Sequence, residues 1–160
     1  MEEHDMEKCT RIIFVSKENV ILSPMAEWIM KSILMDKSKE ILSRGLVVLF
    51  AEPRDQRVTE LLINHAVPCE EQVSEEFKAE EVDEETLVLT MNFTEKVKLV
   101  EDYGLTEHVY TLREFAIEEE GVELDPDVPD PYGSGDEAYE ESYIELKDLL
   151  YKVKKKLQWN

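Results

Sequence analysis

Four short apolar runs, rich in β-branched residues, recur along the chain, and segments with helical periodicity lie between them. The runs are RIIFV (Arg11 to Val15), LVVLF (Leu46 to Phe50), TLVLTM (Thr86 to Met91) and HVYTL (His108 to Leu112). Each has the length and composition of a buried strand. Ala26, Ile29, Met30, Ile33 and Leu34 recur at spacings of three and four, one face of a helix. Ser23 is placed to cap that helix, with Pro24 at its first position, where a missing N–H costs nothing. Val58, Leu61, Leu62 and His65 predict a second helix over 57–65, and residues 74–82 read as a short helical segment. A third helix follows TLVLTM through about Val100, and a last one runs roughly from Glu137 to Leu157. Strands alternating with helices need parallel pairing and right-handed crossovers, so the expected architecture is a three-layer α/β sandwich. Residues 1–10 read as a polar arm and 11–160 as one domain, with no internal repeat. Sheets of this class bind ligands at the carboxyl ends of their strands, near a switch in strand order. The loop after the first strand and the loop ELDPDVPDPYGSG before the last helix are both candidates to reach that place.

Charge narrows the partners. The net charge is −20, which disfavours nucleic acid and anionic membrane surfaces. Eleven Asp or Glu and no Lys or Arg lie between Glu118 and Glu141. Solvation alone accounts for such a stretch, and a protein partner with a basic segment is the binding alternative. Asp125, Asp127, Asp130 and Asp136 raise a metal reading, but Pro129 interrupts the spacing of a calcium loop, and no metal is expected. The four lysines between Lys152 and Lys156 suit a helix C-terminus. No apolar run reaches the ~18–20 residues of a membrane span. MEEHDMEKC lacks the apolar core of a signal peptide, so a cytoplasmic protein is expected. Cys9 and Cys69, far apart and without metal spacing, then read as two thiols.

A strand, a short loop and a helix opening commonly aim backbone N–H groups at a phosphate. FVSKENVILSPMAE has that layout, yet contains no cysteine, glycine or arginine. Together with LVLTMNFTEKV, VYTLREF and DPYGSGDEAYEE, it resembles the low-molecular-weight protein tyrosine phosphatases. The similarity is greatest to the bacterial branch that includes protein arginine phosphatases, and it extends from Arg11 nearly to the end. The resemblance implies a four-stranded parallel sheet flanked by helices, and phosphate ester or phosphoarginine hydrolysis without a cofactor.

The resemblance also implies a loop with a nucleophilic Cys, five residues, an Arg and a Ser. The thiolate attacks phosphorus and the Arg holds two phosphoryl oxygens in a fork that Leu cannot replace. Here the nucleophile's place holds Ser16 and the arginine's place holds Leu22. Lys17 follows the nucleophile, and Glu18 stands where a glycine lets the backbone approach phosphate. Asn19 matches a loop-bracing asparagine, Val20 a small residue that shapes substrate preference, and Ile21 a second cysteine; Ser23 and Pro24 are kept. Asp130 matches the general acid, and Tyr132 and Tyr139 match aromatic residues at the substrate mouth.

Neither cysteine restores the motif, because six positions beyond Cys9 is Val15 and six beyond Cys69 is Glu75. A serine needs a neighbouring base, and His4, His65 and His108 offer none by position. Glu18 is expected where a phosphate oxygen must come, and two unit charges ~4 Å apart repel by roughly 4 kcal/mol at a dielectric of 20. The expected function is therefore that of an inactive homologue that binds or regulates a partner, as a monomer or weak dimer. The alternatives are a phosphatase of altered mechanism and a pocket for a cationic or neutral ligand.

Overall fold

The computed structural model describes residues 8–117 and 123–160. Its centre is β1 (Arg11–Ser16), buried from Ile12 to Ser16. Successive residues face opposite sides of the sheet. Ile12 and Phe14 join the larger core with Met25, Ile29 and Leu146, while Ile13 and Val15 join Phe77, Val88 and Leu99. Both faces of the sheet are thus covered, which is why the strand reads as a continuous apolar run.

Around β1 the chain forms α1 (Leu22–Ile33), β2 (Glu40–Gly45), α2 (Gln56–Asn64), one 3-10 turn (Ala79–Glu81) and β3 (Thr86–Thr90). It continues through α3 (Phe93–Tyr103), β4 (Val109–Thr111), a short α4 (Leu112–Ala116) and the long α5 (Asp136–Leu157). The four strands lie in the order β2-β1-β3-β4, all parallel. The α/β sandwich expected from alternation is the observed fold. Its strand order reverses at β1, so the carboxyl ends of β1 and β3 flank the switch.

The structure corrects the second strand. LVVLF is not a strand: Leu49 and Phe50 are exposed and the segment is a loop, whereas β2 is the preceding EILSRG. An edge strand alternates, with Ile41, Ser43 and Gly45 buried between less buried neighbours, so it lacks the continuous run of a central strand. Residues 74–82 reduce to the single 3-10 turn. VYTLREF holds both β4 and α4, because Thr111 and Glu114 form a capping box that turns the chain into a helix. At the N-terminus, Cys9 is buried and Thr10 donates to the carbonyl of Glu85, so these two residues belong to the packed body. Residues 1–7, which include His4 and most of the arm, lie outside the described residues, as do 118–122. Among the described residues, no helix is long and apolar enough to cross a membrane.

Candidate functional site

Where β1 ends, its pairing with the next crossover continues through backbone. Leu46 N–H donates to the Ser16 carbonyl at 3.1 Å and Val47 N–H to that of Lys17 at 2.8 Å. Farther on, Asp55 N–H donates to the Val20 carbonyl at 2.9 Å. Gly45 lets the loop lie this close: a Cβ there would stand 3.0 Å from Asn19 Cβ and 3.1 Å from the Glu18 carbonyl carbon. Asn19 takes the left-handed conformation at φ 61°, which Asn tolerates better than most residues.

Side chains complete the frame. Asn19 Nδ2 donates to Ser23 Oγ at 2.9 Å, and Asn19 Oδ1 accepts from Glu75 N–H at 3.0 Å. Ser16 Oγ accepts from Asn19 N–H at 3.1 Å and shares a proton with Ser23 Oγ at 2.6 Å. Ser23 is therefore not a helix cap. Helix α1 begins one residue earlier, at Leu22, with no side-chain cap, and the Ser23 hydroxyl is committed to Ser16 and Asn19. Pro24 accordingly sits at the third helical position, still among the N–H groups that no helical carbonyl reaches.

The loop forms the floor of an open cleft of about 630 Å³. Ser16 to Leu22 line it from one side, and Met91, Asn92 and Glu95 from the end of β3 and the start of α3. Glu52, Pro53 and Asp55 close a second side, and Val128, Asp130 and Tyr132 a third. The loop before α5 is fixed over the cleft by Val128 N–H, which donates to the Met91 carbonyl at 2.9 Å. Asp127 Oδ1 also accepts from Phe93 N–H at 2.8 Å.

The predicted positions converge, with two differences. Ser16, Lys17, Glu18, Asn19, Val20, Ile21, Leu22, Asp130 and Tyr132 all line one cleft. Ser23 lies beneath it, fully buried. Tyr139 is not a mouth residue: it is buried, and its hydroxyl donates to Asp55 Oδ2 at 3.3 Å. Desolvation, then the Asp55 charge, raises its pKa. Tyr132, 74% exposed, is the aromatic at the rim. Glu18 also differs from expectation. Its side chain is exposed on the rim, where water weakens the repulsion that a carboxylate inside the loop would exert.

Glu95 was not singled out from the sequence. It is the N3 residue of the box Asn92–Glu95 at the start of α3, and the pattern N-x-x-E in NFTE is its only local signal. Its Oε1 accepts from Met91 N–H at 2.9 Å and Asn92 N–H at 3.1 Å. Burial nevertheless pushes its pKa up to about 7, against the backbone N–H groups of Asn92, Met91 and Lys17, which favour the carboxylate. Asp55 is legible only as the N-cap of α2, accepting from Arg57 N–H at 2.8 Å, and Glu52 carries no local signal.

The remaining candidates lie away from the cleft. Cys9 is buried at the opposite end of β1, roughly 20 Å away at ~3.3 Å per residue, with its thiol pushed up to about 11 by burial. Cys69 faces Arg54, whose Nη2 lies 3.5 Å from the sulfur, outside the cleft. His65 stacks on Tyr143 at 3.8 Å and shares a hydrogen bond with Glu140, and His108 precedes β4. Asp125 faces Arg113, Asp136 faces Arg57, and Asp127 caps α3, so the acidic loop's carboxylates are directed to separate partners.

Comparison with known proteins gives the family and supports the fold. The family model for low molecular weight phosphotyrosine protein phosphatase matches residues 11–160. Low molecular weight protein-tyrosine-phosphatase PtpB of Staphylococcus aureus is 32% identical over 144 residues, 90% of this chain and 96% of that protein. The YwlE arginine phosphatase from Geobacillus stearothermophilus superposes with a TM-score of 0.81 at 27% identity, covering 93% of each chain. A YwlE cysteine-to-serine mutant with phosphorylated active site serine superposes at 0.76 and 29% identity, over 92% of this chain and 95% of that one. This chain belongs to the low molecular weight phosphotyrosine protein phosphatase family.

Proposed function

We propose that this chain is a catalytically inactive member of its family, a pseudophosphatase whose cleft binds or regulates a protein partner. One observation carries the reading. The hydroxyl in the nucleophile's place, Ser16 Oγ, has Ser23 Oγ and Asn19 N–H as its hydrogen-bond partners, and neither is a base. A serine so held stays protonated at neutral pH and is a poor nucleophile. Leu22, in the arginine's place, is buried and offers no donor to a phosphoryl group. Asp130 reaches the same cleft, but its Oδ1 accepts from Tyr132 N–H at 3.0 Å, a turn-forming role that requires no catalysis.

The purified chain is expected to release no phosphate from aryl phosphates, phosphotyrosine or phosphoarginine above background. Turnover that persists through purification and disappears in Ser16→Ala would overturn this. The second reading, an active phosphatase of altered mechanism, is favoured by the YwlE mutant, in which a serine carries phosphate. On that reading Ser16 accepts the phosphoryl group. The same Ser16→Ala comparison separates the two. Function in the cytoplasm, as a monomer or weak dimer with a partner bearing a basic segment, completes the proposal.

A further inference from the structure

Two contacts strap the loop before α5 to the corner where β3 meets α3. Val128 N–H donates to the Met91 carbonyl at 2.9 Å, and Asp127 Oδ1 accepts from Phe93 N–H at 2.8 Å. The corner is itself held by Glu95. Its Oε1 accepts from Met91 N–H and Asn92 N–H, and its own N–H donates to Asn92 Oδ1 at 2.8 Å. Strap and capping box therefore share residues 91–93. Glu95 lines the cleft yet is only 7% exposed. Burial raises its pKa to about 7 against its backbone donors, and the Asp127 charge adds to the rise. On its own helix the neighbouring cation, Lys96, is paired with Glu114. The β1 loop presents Lys17 and Glu18, and the strap presents Asp127 and Asp130, all four exposed. Glu52 and Asp55 stand across the cleft.

We infer that Glu95 is a proton-controlled latch for this strap. Protonated, it holds residues 91–93 and the loop fastened to them; ionised, it turns toward water, the two strap contacts break, and the cleft opens on the side of Val128, Asp130 and Tyr132. The carboxylate gains the hydration that burial denies it. Without Oε1, the Met91 and Asn92 N–H groups no longer fix the corner on which both strap contacts depend. Asp127, the strap's second hold, is a like charge at the same corner and favours release. Opening should grow as pH rises from the ordinary carboxyl range to about 7, then level off. The gain reaches about 300-fold if the released Glu95 titrates as an ordinary carboxyl. Burial of the Val128 side chain opposes lifting, so the measurement has to detect a minor state. The inference is independent of whether the cleft turns over phosphate.

Amide hydrogen exchange detects such openings, with protection corrected for the intrinsic pH dependence of exchange. Protection at Val128 and Phe93 is expected to fall at least tenfold between pH 5 and pH 8, with little response to dilute urea. Global unfolding would instead respond strongly to urea. In carbon NMR the Glu95 carboxyl should titrate with a midpoint of about 7. Glu95→Gln should leave protection at both amides flat with pH. Asp127→Asn, at an exposed position, keeps an acceptor for Phe93 N–H and should lower the Glu95 midpoint, a test that stands even if Glu95→Gln does not fold. A Glu95 carboxyl titrating in the ordinary range, or protection at Val128 and Phe93 that ignores pH or follows urea, would overturn the inference. So would an unchanged pH dependence in Glu95→Gln or an unmoved midpoint in Asp127→Asn.

Discussion

On the reading proposed above, Ser16 and Leu22 replace the groups that would attack phosphorus and hold its oxygens, while Asn19 and Ser23 brace the loop. The frame and the chemistry are thus separable, and repair tests this. Ser16→Cys alone should restore nothing measurable, since no guanidinium is present to bind a phosphoryl group. Adding Glu18→Gly and Leu22→Arg should recover at least phosphate binding, seen as a saturable thermal shift with added phosphate. If the triple variant folds by circular dichroism yet binds no oxyanion, the backbone of residues 16–23 has left the family's shape. Glu18 is exposed, so water weakens the repulsion between its carboxylate and an oxyanion in the loop. That these residues share one cleft is legible in the sequence, since the resemblance fixes their spacing. Exposure is not, because spacing does not say which way a side chain turns.

Helix α3 carries the one strongly perturbed acid of the cleft. Glu95 caps its own helix while buried against the end of β3, and its pKa rises from 4.5 to about 7. A carboxyl raised on folding is protonated in the native state and ionised in the unfolded one between those values. Stability therefore falls as pH rises from about 4.5 through about 7, and the loss is complete above that. Glu95→Gln keeps an acceptor for Met91 and Asn92 N–H but cannot ionise. It should raise stability at pH 8 by on the order of 2 kcal/mol and change it little at pH 5, measured by urea unfolding. An equal effect at both pH values would show that ionisation is not the cause. The same element shows what periodicity reads well. Strands β1 and β3 and helices α1, α2, α3 and α5 were placed within a few residues by apolar spacing. Apolar content points to LVVLF rather than to β2, since an edge strand alternates and the more apolar segment beside it is a surface loop. The resemblance puts Tyr139 at the mouth, but sequence alone does not distinguish the cleft side of α5 from its packed side, where Asp55 holds it.

The order β2-β1-β3-β4 brings the β1 loop, the end of β3 and the acidic loop to one opening. That convergence comes from the fold, because the two cores on either side of the sheet do not depend on the cleft's chemistry. The charge is −20 overall, and five acidic residues line the cleft against one lysine, with Glu95 among them about half protonated near neutral pH. A site with this field, no arginine and an unactivated hydroxyl should neither hold nor accept a phosphoryl group. The most direct measurement is the intact mass of the protein after prolonged incubation with an aryl phosphate and, separately, with a phosphoarginine peptide. A serine trapped as its phosphate would appear there even if turnover were too slow to detect. The account predicts an unchanged mass in both. Addition of one phosphoryl group, mapped to Ser16 and absent in Ser16→Ala, would contradict it.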